Sequence, residues 1–307
     1  MPYDRYDRSM RRHVLAALLT PLAMASGEHA AAQPCTLSQS AVVTFHFGVE
    51  ATDPGFAYVL DLFHTDLEIP RLDGQWAPGV HQDHPKGEIH AEPDEALLYV
   101  NSAARVTLPS IPPGFEFIGA TPGEPFWVLP QNPNPAILFL GIGSEEMSVS
   151  DLEALCVWNP QDPRGGADVP ARWLRARLVD VRGPSGGDVS LWQSGLGPPT
   201  VYFSTHLDGV DATDVIHTLA GGHAHLNWAF TQPGLYEIDL RLATRAANPC
   251  PADLDGDGQV GQSDLGILLS DFGCQPSPDG CPGDTDGDGA TGQSDLGVLL
   301  SSYGTGC

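Results

Sequence analysis

Lysine is almost missing from this chain: Lys86 stands alone in 307 residues, and all Lys and Arg together number 14 against 39 Asp and Glu. So few cations cannot neutralise a phosphate backbone, which argues against nucleic acid as a partner. Long apolar runs are also missing. Beyond the N-terminal region no stretch approaches the roughly 20 apolar residues of a membrane helix. The chain has no Gly-x-Ser-x-Gly elbow, no His-Glu-x-x-His helix and no phosphate-cradling glycine loop, so no nucleophile or zincin motif marks a catalytic site. The first reading is therefore a non-catalytic protein.

What is present is concentrated at the C-terminus. Two acidic loops, Asp253-Leu-Asp255-Gly-Asp257-Gly258 and Asp284-Thr-Asp286-Gly-Asp288-Gly289, are each closed by an Asp at the twelfth position, Asp264 and Asp295. Calcium takes six to eight oxygens, and such a loop offers carboxylates at positions one, three, five and twelve with Gly at the sixth for the sharp turn. The seventh-position ligand is a backbone carbonyl, supplied by Gln259 and Ala290. Gly261 and Gly292 at the ninth position leave that ligand to water. An Asp in place of the usual bidentate Glu at the twelfth suits a modest-affinity extracellular module, and two calcium ions are expected.

The loops repeat at a spacing of 31 residues, and the same stretch follows each, Gln262-Ser-Asp-Leu-Gly-Ile-Leu-Leu-Ser270 and Gln293-Ser-Asp-Leu-Gly-Val-Leu-Leu-Ser301. Leu265, Leu268, Leu269 and Phe272 fall at helical spacing, as do Leu296, Leu299, Leu300 and Tyr303, so two helices are expected to bury their apolar stripes against each other. This duplicated loop-helix unit, over residues 250 to 304, resembles the dockerin type I module. The resemblance implies docking to a cohesin-like protein or a cell-envelope component through loop positions ten and eleven, here Gln262-Ser263 and Gln293-Ser294. A calcium-stapled cap without a partner is the plainer alternative.

At the other end, Arg5, Arg8, Arg11 and Arg12 precede the apolar run Val14 to Ala25, with small-residue cleavage options after Ala25 or Ala32. Residues 1–32 are thus expected to be a secretory signal peptide, and the mature protein to be secreted or at the cell surface. Without them 10 basic residues face 36 acidic ones, a formal charge of -26. Eight of the carboxylates belong to the calcium loops, and the rest make an acidic, solvated surface. Six cysteines in an exported chain point to three disulfides among 15 possible pairings. Their placement around the repeats suggests Cys250 with Cys274 and Cys281 with Cys307, leaving Cys35 with Cys156 for the larger domain.

Residues 33–247 show strand signals throughout: Ala41 to Val49, Phe56 to Phe63, Ala96 to Val100, Phe126 to Leu129, Ile137 to Leu140, Arg172 to Val181, Val189 to Gln193, Thr200 to Ser204, His225 to Thr231 and Leu235 to Leu242. The expected fold is an all-β sandwich of antiparallel sheets, immunoglobulin-like or jelly-roll-like, followed by the small α-helical calcium-loop domain at residues 248–307. Thr231-Gln232-Pro233-Gly234 carries the turn chemistry of a hairpin. Tyr236, Ile238, Leu240 and Leu242 alternate with Glu237, Asp239 and Arg241, as in a sheet with one wet face.

Asp94-Glu-Ala-Leu-Leu-Tyr-Val100, Pro125-Phe-Trp-Val-Leu-Pro-Gln131, Ile137-Leu-Phe-Leu-Gly141 and Gly222-His-Ala-His-Leu-Asn-Trp-Ala-Phe230 together resemble the choice-of-anchor M domain, the actinobacterial-type surface-anchored protein domain. The resemblance spans roughly residues 40 to 245 and implies a non-catalytic cell-surface β domain whose attachment device lies at its C-terminus.

Histidine is the remaining clue. Of eleven, His81, His84 and His90 share one acidic loop, while His223 and His225 lie two apart at a strand entry and so point to one side. This pattern can chelate zinc or copper, with Asp83, Glu88 or Glu92 as a further ligand. The second reading is accordingly a transition-metal-binding or carbohydrate-binding sandwich, set against histidines that merely bond loop backbone. A third is a dockerin-tethered polysaccharide hydrolase using a carboxylate pair from Glu92, Asp94, Glu145 and Glu146.

Overall fold

A computed structural model describes residues 35–247, 250–255, 258–275 and 280–306. The expected signal peptide, Asp257 and Cys307 lie outside the described residues. No described helix is long and apolar enough to cross a membrane.

Residues 35–247 are an all-β sandwich. Its large sheet runs in the order Val215–Leu219, Trp173–Arg182, Gly234–Ala247, Cys35–Val49, Ala96–Val100, Tyr58–Leu60. A second sheet is ordered Thr200–Ser204, Val189–Gln193, Asn227–Phe230, Pro125–Leu129, Arg105–Thr107. A third is ordered His223–His225, Phe139–Gly143, His64–Glu68, Gly79–Gln82, Ile89–Ala91. Pairing is mixed, since Cys35–Val49 runs parallel to Ala96–Val100 and Phe139–Gly143 parallel to His64–Glu68. One continuous core joins all three sheets: Phe45, Phe47, Ile238 and Leu240 of the large sheet, Trp127, Trp228 and Phe230 of the second, and Leu67, Val80, Leu140 and Ile142 of the third. Phe47 packs on Trp228 and Phe230 with ring centroids 5.4 and 5.3 Å apart, offset contacts of the kind that anchor such cores.

Tyr236, Ile238, Leu240 and Leu242 are all buried, as their alternation requires. On the opposite face Asp239 receives Arg182 Nη1 at 2.6 Å, and Arg182 Nε donates to Glu237 at 2.7 Å. The turn between the last two strands is not the hairpin its sequence suggests. Asn227–Phe230 belongs to the second sheet and Gly234–Ala247 to the large one, so residues 231–234 cross from one layer of the sandwich to the other. Tyr236 Oη donates to Gln232 O at 2.9 Å and holds this crossing in place. The expected strand from His225 to Thr231 also divides: His223–His225 pairs in the third sheet and Asn227–Phe230 in the second.

The C-terminal helices are Gln262–Asp271 and Gln293–Ser302, both within the duplicated stretches. Only half of each apolar stripe is buried. Leu268 and Leu299 are fully enclosed with Ala252 and Val260, and Leu265 and Leu296 pack half-buried against them, while Leu269, Phe272, Leu300 and Tyr303 stay exposed, because two ten-residue helices crossing once cover only part of each stripe. The module rests on the sandwich where its first and last long strands meet: Arg245 Nη1 donates to Gly287 O, in the second loop, at 3.0 Å.

Cys35 is bonded to Cys156. The two pairings expected within the repeats are replaced by a bond between Cys274 and Cys281, seven residues apart. The reason lies in the backbone after the first helix. Gly273 N donates to Thr291 O at 2.8 Å and Thr291 N to Cys274 O at 3.1 Å, so Cys274 is drawn to the start of the second repeat. Cys250 is disulfide-bonded as well, but not to Cys274. Disulfides of this kind are typical of extracellular proteins.

Candidate metal centre

Alternation along the third sheet sends Leu67, Val80, Ala91, Leu140 and Ile142 into the core. The intervening residues therefore share the outer face. Cross-strand register places His225, Gly141, Asp66, His81 and His90 in one row across all five strands. His223, Gly143, Glu68 and Gly79 form the row beside it. The strand with no side chains in these rows makes room for its neighbours. A Cβ on Gly141 would collide with Asp66 Oδ1, and one on Gly143 would lie 2.7 Å from His223 Cβ.

Over these glycines three imidazoles converge. The ligand atoms of His64, His223 and His225 all lie within 4.8 Å of one another, and His64 Nε2 is 3.0 Å from His225 Nε2. Carboxylates orient two of the rings from behind: His64 Nδ1 meets Asp83 Oδ2 at 2.7 Å, and His223 Nδ1 meets Glu145 Oε1 at 2.8 Å. A carboxylate on one ring nitrogen fixes the tautomer and leaves the other nitrogen as the ligand, the usual outer shell of a histidine metal site. Phe139 stacks on His225 at 3.7 Å. Burial above all pushes His225 down to about 4, so it stays neutral and able to coordinate.

Asp66 and Glu68 lie beneath and beside the imidazoles, only 1% and 4% exposed. Among the described residues none of their four oxygens has a hydrogen-bond partner, although His64 Nε2 stands 3.2 Å from Asp66 Oδ2. Burial raises Asp66, with His64 pulling the other way. Burial, and then the charges of Asp66, Glu146 and Glu145, push Glu68 up to about 8. Desolvated carboxylates without partners are costly, and a divalent cation among the facing imidazoles would remove that cost.

Of the histidines singled out by sequence, His81, His90, His223 and His225 reach this face, and His84 does not. His84 turns edge-on to Phe63 at 5.2 Å, and its Nδ1 accepts from Lys86 N at 3.1 Å. His81 stacks on His90 at 4.6 Å, and His90 Nδ1 meets Glu146 Oε1 at 2.9 Å. His64, Asp66 and Glu68 were missed, although their period of two is the same signal that His223 and His225 display.

The C-terminal loops present oxygen ligands only. In the first, Asp253, Asp255 and Asp264 bring carboxylate oxygens within 4.8 Å of one another. Asp264 accepts from Leu254 N at 2.6 Å, Asp255 N at 3.1 Å and Gly261 N at 2.6 Å. Asp295 repeats this with Thr285 N at 2.8 Å, Asp286 N at 3.1 Å and Gly292 N at 2.7 Å. Asp253 and Asp284 each accept from the sixth-position glycine, at 3.0 and 2.9 Å. The carboxylates are thus turned into the loop by its own amides, a donor set that fits a hard cation such as calcium. Gln262, Ser263, Gln293 and Ser294 are exposed at the helix starts.

No protein-family model matches the chain, and no curated protein or solved structure matches it.

Proposed function

We propose that this is an exported, non-catalytic surface protein whose sandwich binds a zinc-type transition-metal ion on the outer face of its third sheet. The observation that carries the reading is the convergence of His64, His223 and His225 over Gly141, beside a buried Asp66 carboxylate. Three imidazoles and a carboxylate are a four-coordinate set suited to zinc, with copper as the competitor. Histidines that only bonded loop backbone would not need carboxylates behind two of their rings or unpaired carboxylates beside them. The face is open, and Glu145 and Glu146 are engaged with His223 and His90, which leaves them ill placed as an acid and base pair for glycoside cleavage.

The C-terminal module, in the same proposal, binds two calcium ions through Asp253, Asp255, Asp264, Asp284, Asp286, Asp288 and Asp295 and serves for attachment. The duplicated exposed residues Leu269 with Phe272 and Leu300 with Tyr303 support a docking role. The metal reading is tested by zinc titration of the full chain in excess calcium, read by calorimetry. Zinc affinity should be lost in the His64→Ala, His225→Ala double variant. Undiminished affinity in that variant would sink the reading.

A further inference from the structure

We infer that the outer face of the third sheet holds two divalent cations side by side, with the Asp66 carboxylate bridging an ion on His64, His223 and His225 to a second ion on Glu68 and His81. The inference rests on the metal reading above and gives that site its stoichiometry and its second ligand set.

The second position is a built site and not merely an acidic cluster. Asp66, Glu68 and His81 bring one ligand atom each within 4.8 Å of the others. Both oxygens of Asp66, both oxygens of Glu68 and His81 Nε2 are buried without a hydrogen bond. Asp66 Oδ2 has His64 Nε2 at 3.2 Å and His81 Nε2 has Asp83 Oδ1 at 3.8 Å, but none of the five atoms is hydrogen-bonded among the described residues, and buried polar groups left that way are costly, so together they call for a common partner. One ion on the imidazole triad would engage Asp66 but leave Glu68 and His81 as they are. One ion on Glu68 and His81 would leave the triad, in which His64 and His223 have carboxylates behind them in the manner of metal ligands.

Asp66 belongs to both groups by position. On its row it sits between Gly141, beyond which lies His225, and His81. Its Oδ2 is 3.2 Å from His64 Nε2, while Glu68 follows two residues later on the same face of the same strand. A carboxylate shared by two ions holds them about 3.5–4 Å apart, the spacing of two-metal centres. The donor sets differ. Three imidazoles and a carboxylate suit zinc, whereas one imidazole and two carboxylates suit zinc or the harder manganese. The competing account of Glu68 is a proton on its carboxyl, which would satisfy one oxygen without any ion.

The test is zinc loading of the full chain with calcium in excess, counted by plasma mass spectrometry and located by anomalous diffraction. Wild type should hold two zinc ions on the sandwich about 3.5–4 Å apart. Glu68→Gln and His81→Ala should each hold one, still on the triad, with thermal unfolding of the metal-free variants confirming that they fold. A single zinc in wild type, unchanged by Glu68→Gln and His81→Ala and abolished by His225→Ala, would overturn the second ion and leave the triad standing. No zinc in wild type would overturn both.

Discussion

The molecule gathers carboxylates in two places and treats them in opposite ways. In the C-terminal loops each closing Asp is met by three backbone amides, so Asp264 and Asp295 have structural work whether or not an ion is present. On the third sheet Asp66 and Glu68 are as deeply buried yet have no hydrogen bonds among the described residues. The loops are therefore self-supporting scaffolds. The sheet face is a strained cluster held by the sandwich behind it, stable in the folded protein because Leu67, Val80 and Ile142 on the reverse side fix its strands. The difference also separates the ions proposed for them: oxygen-only loops for a hard cation, imidazoles for a borderline one.

The largest effect that separates the two regions is His225→Ala. It should lower zinc affinity by about 100-fold or more while leaving calcium binding as it is. Calorimetric titration with each ion decides it, and a parallel fall in calcium affinity would mean that the regions are not independent. Next is Asp295→Ala, which removes the acceptor for Thr285, Asp286 and Gly292 amides. Loss of a helix-capping carboxylate should cost about 1–2 kcal/mol even in chelator, and should remove one of two calcium ions with zinc affinity unaltered. Urea unfolding with and without calcium reads both.

A matched pair of substitutions then tests the sign of the contrast. In metal-free buffer Asp264→Asn should destabilise the protein by about 1 kcal/mol, because a charged acceptor of three amides becomes a neutral one. Asp66→Asn in the same buffer should stabilise it by about 1 kcal/mol, since a desolvated charge beside Glu68 is removed. With zinc present the order should reverse for Asp66→Asn, because a ligand is gone. Equal destabilisation by both would show that Asp66 has partners in solution.

The contrast also explains which region could be read in advance. Each acidic loop is a contiguous stretch of twelve residues, and its helix follows immediately, so the spacing alone located Gln262–Asp271 and Gln293–Ser302. Core strands such as Ala96–Val100, Val189–Gln193 and Thr200–Ser204 announce themselves by apolar and β-branched runs. The strands His64–Glu68, Gly79–Gln82 and Ile89–Ala91 do not, because polar residues occupy one face and only Leu67, Val80, Ile89 and Ala91 remain to signal the other. The residues of the proposed site overwrote the pattern that would have revealed the strands carrying them. His223 and His225 were found and His64 was not, since the site is joined from segments 64–68, 81–83, 139–145 and 223–225, and register cannot be read along the chain. The disulfides failed for a related reason. Placement relative to each repeat ignored the backbone bonds that bring Cys274 beside Cys281 across the repeats.

The smallest expected effect bears on how the imidazoles are held. Asp83 and Glu145 touch no proposed ion; they grip the far nitrogens of His64 and His223 at 2.7 and 2.8 Å. Asp83→Asn keeps the shape and a hydrogen-bonding group but removes the charge that makes His64 a better donor. Zinc affinity should fall by about 10-fold, the lower end for loss of an outer-shell carboxylate, with stoichiometry and calcium binding unaltered. Glu145→Gln should do the same through His223. Asp83 is half exposed, so its replacement should leave folding stability nearly as it was. A 10-fold loss without a change in stability marks a positioning residue. No loss would mean that the imidazoles are set by Gly141, Gly143 and Phe139 alone, and the face would then resemble the C-terminal acidic loops in carrying its own geometry.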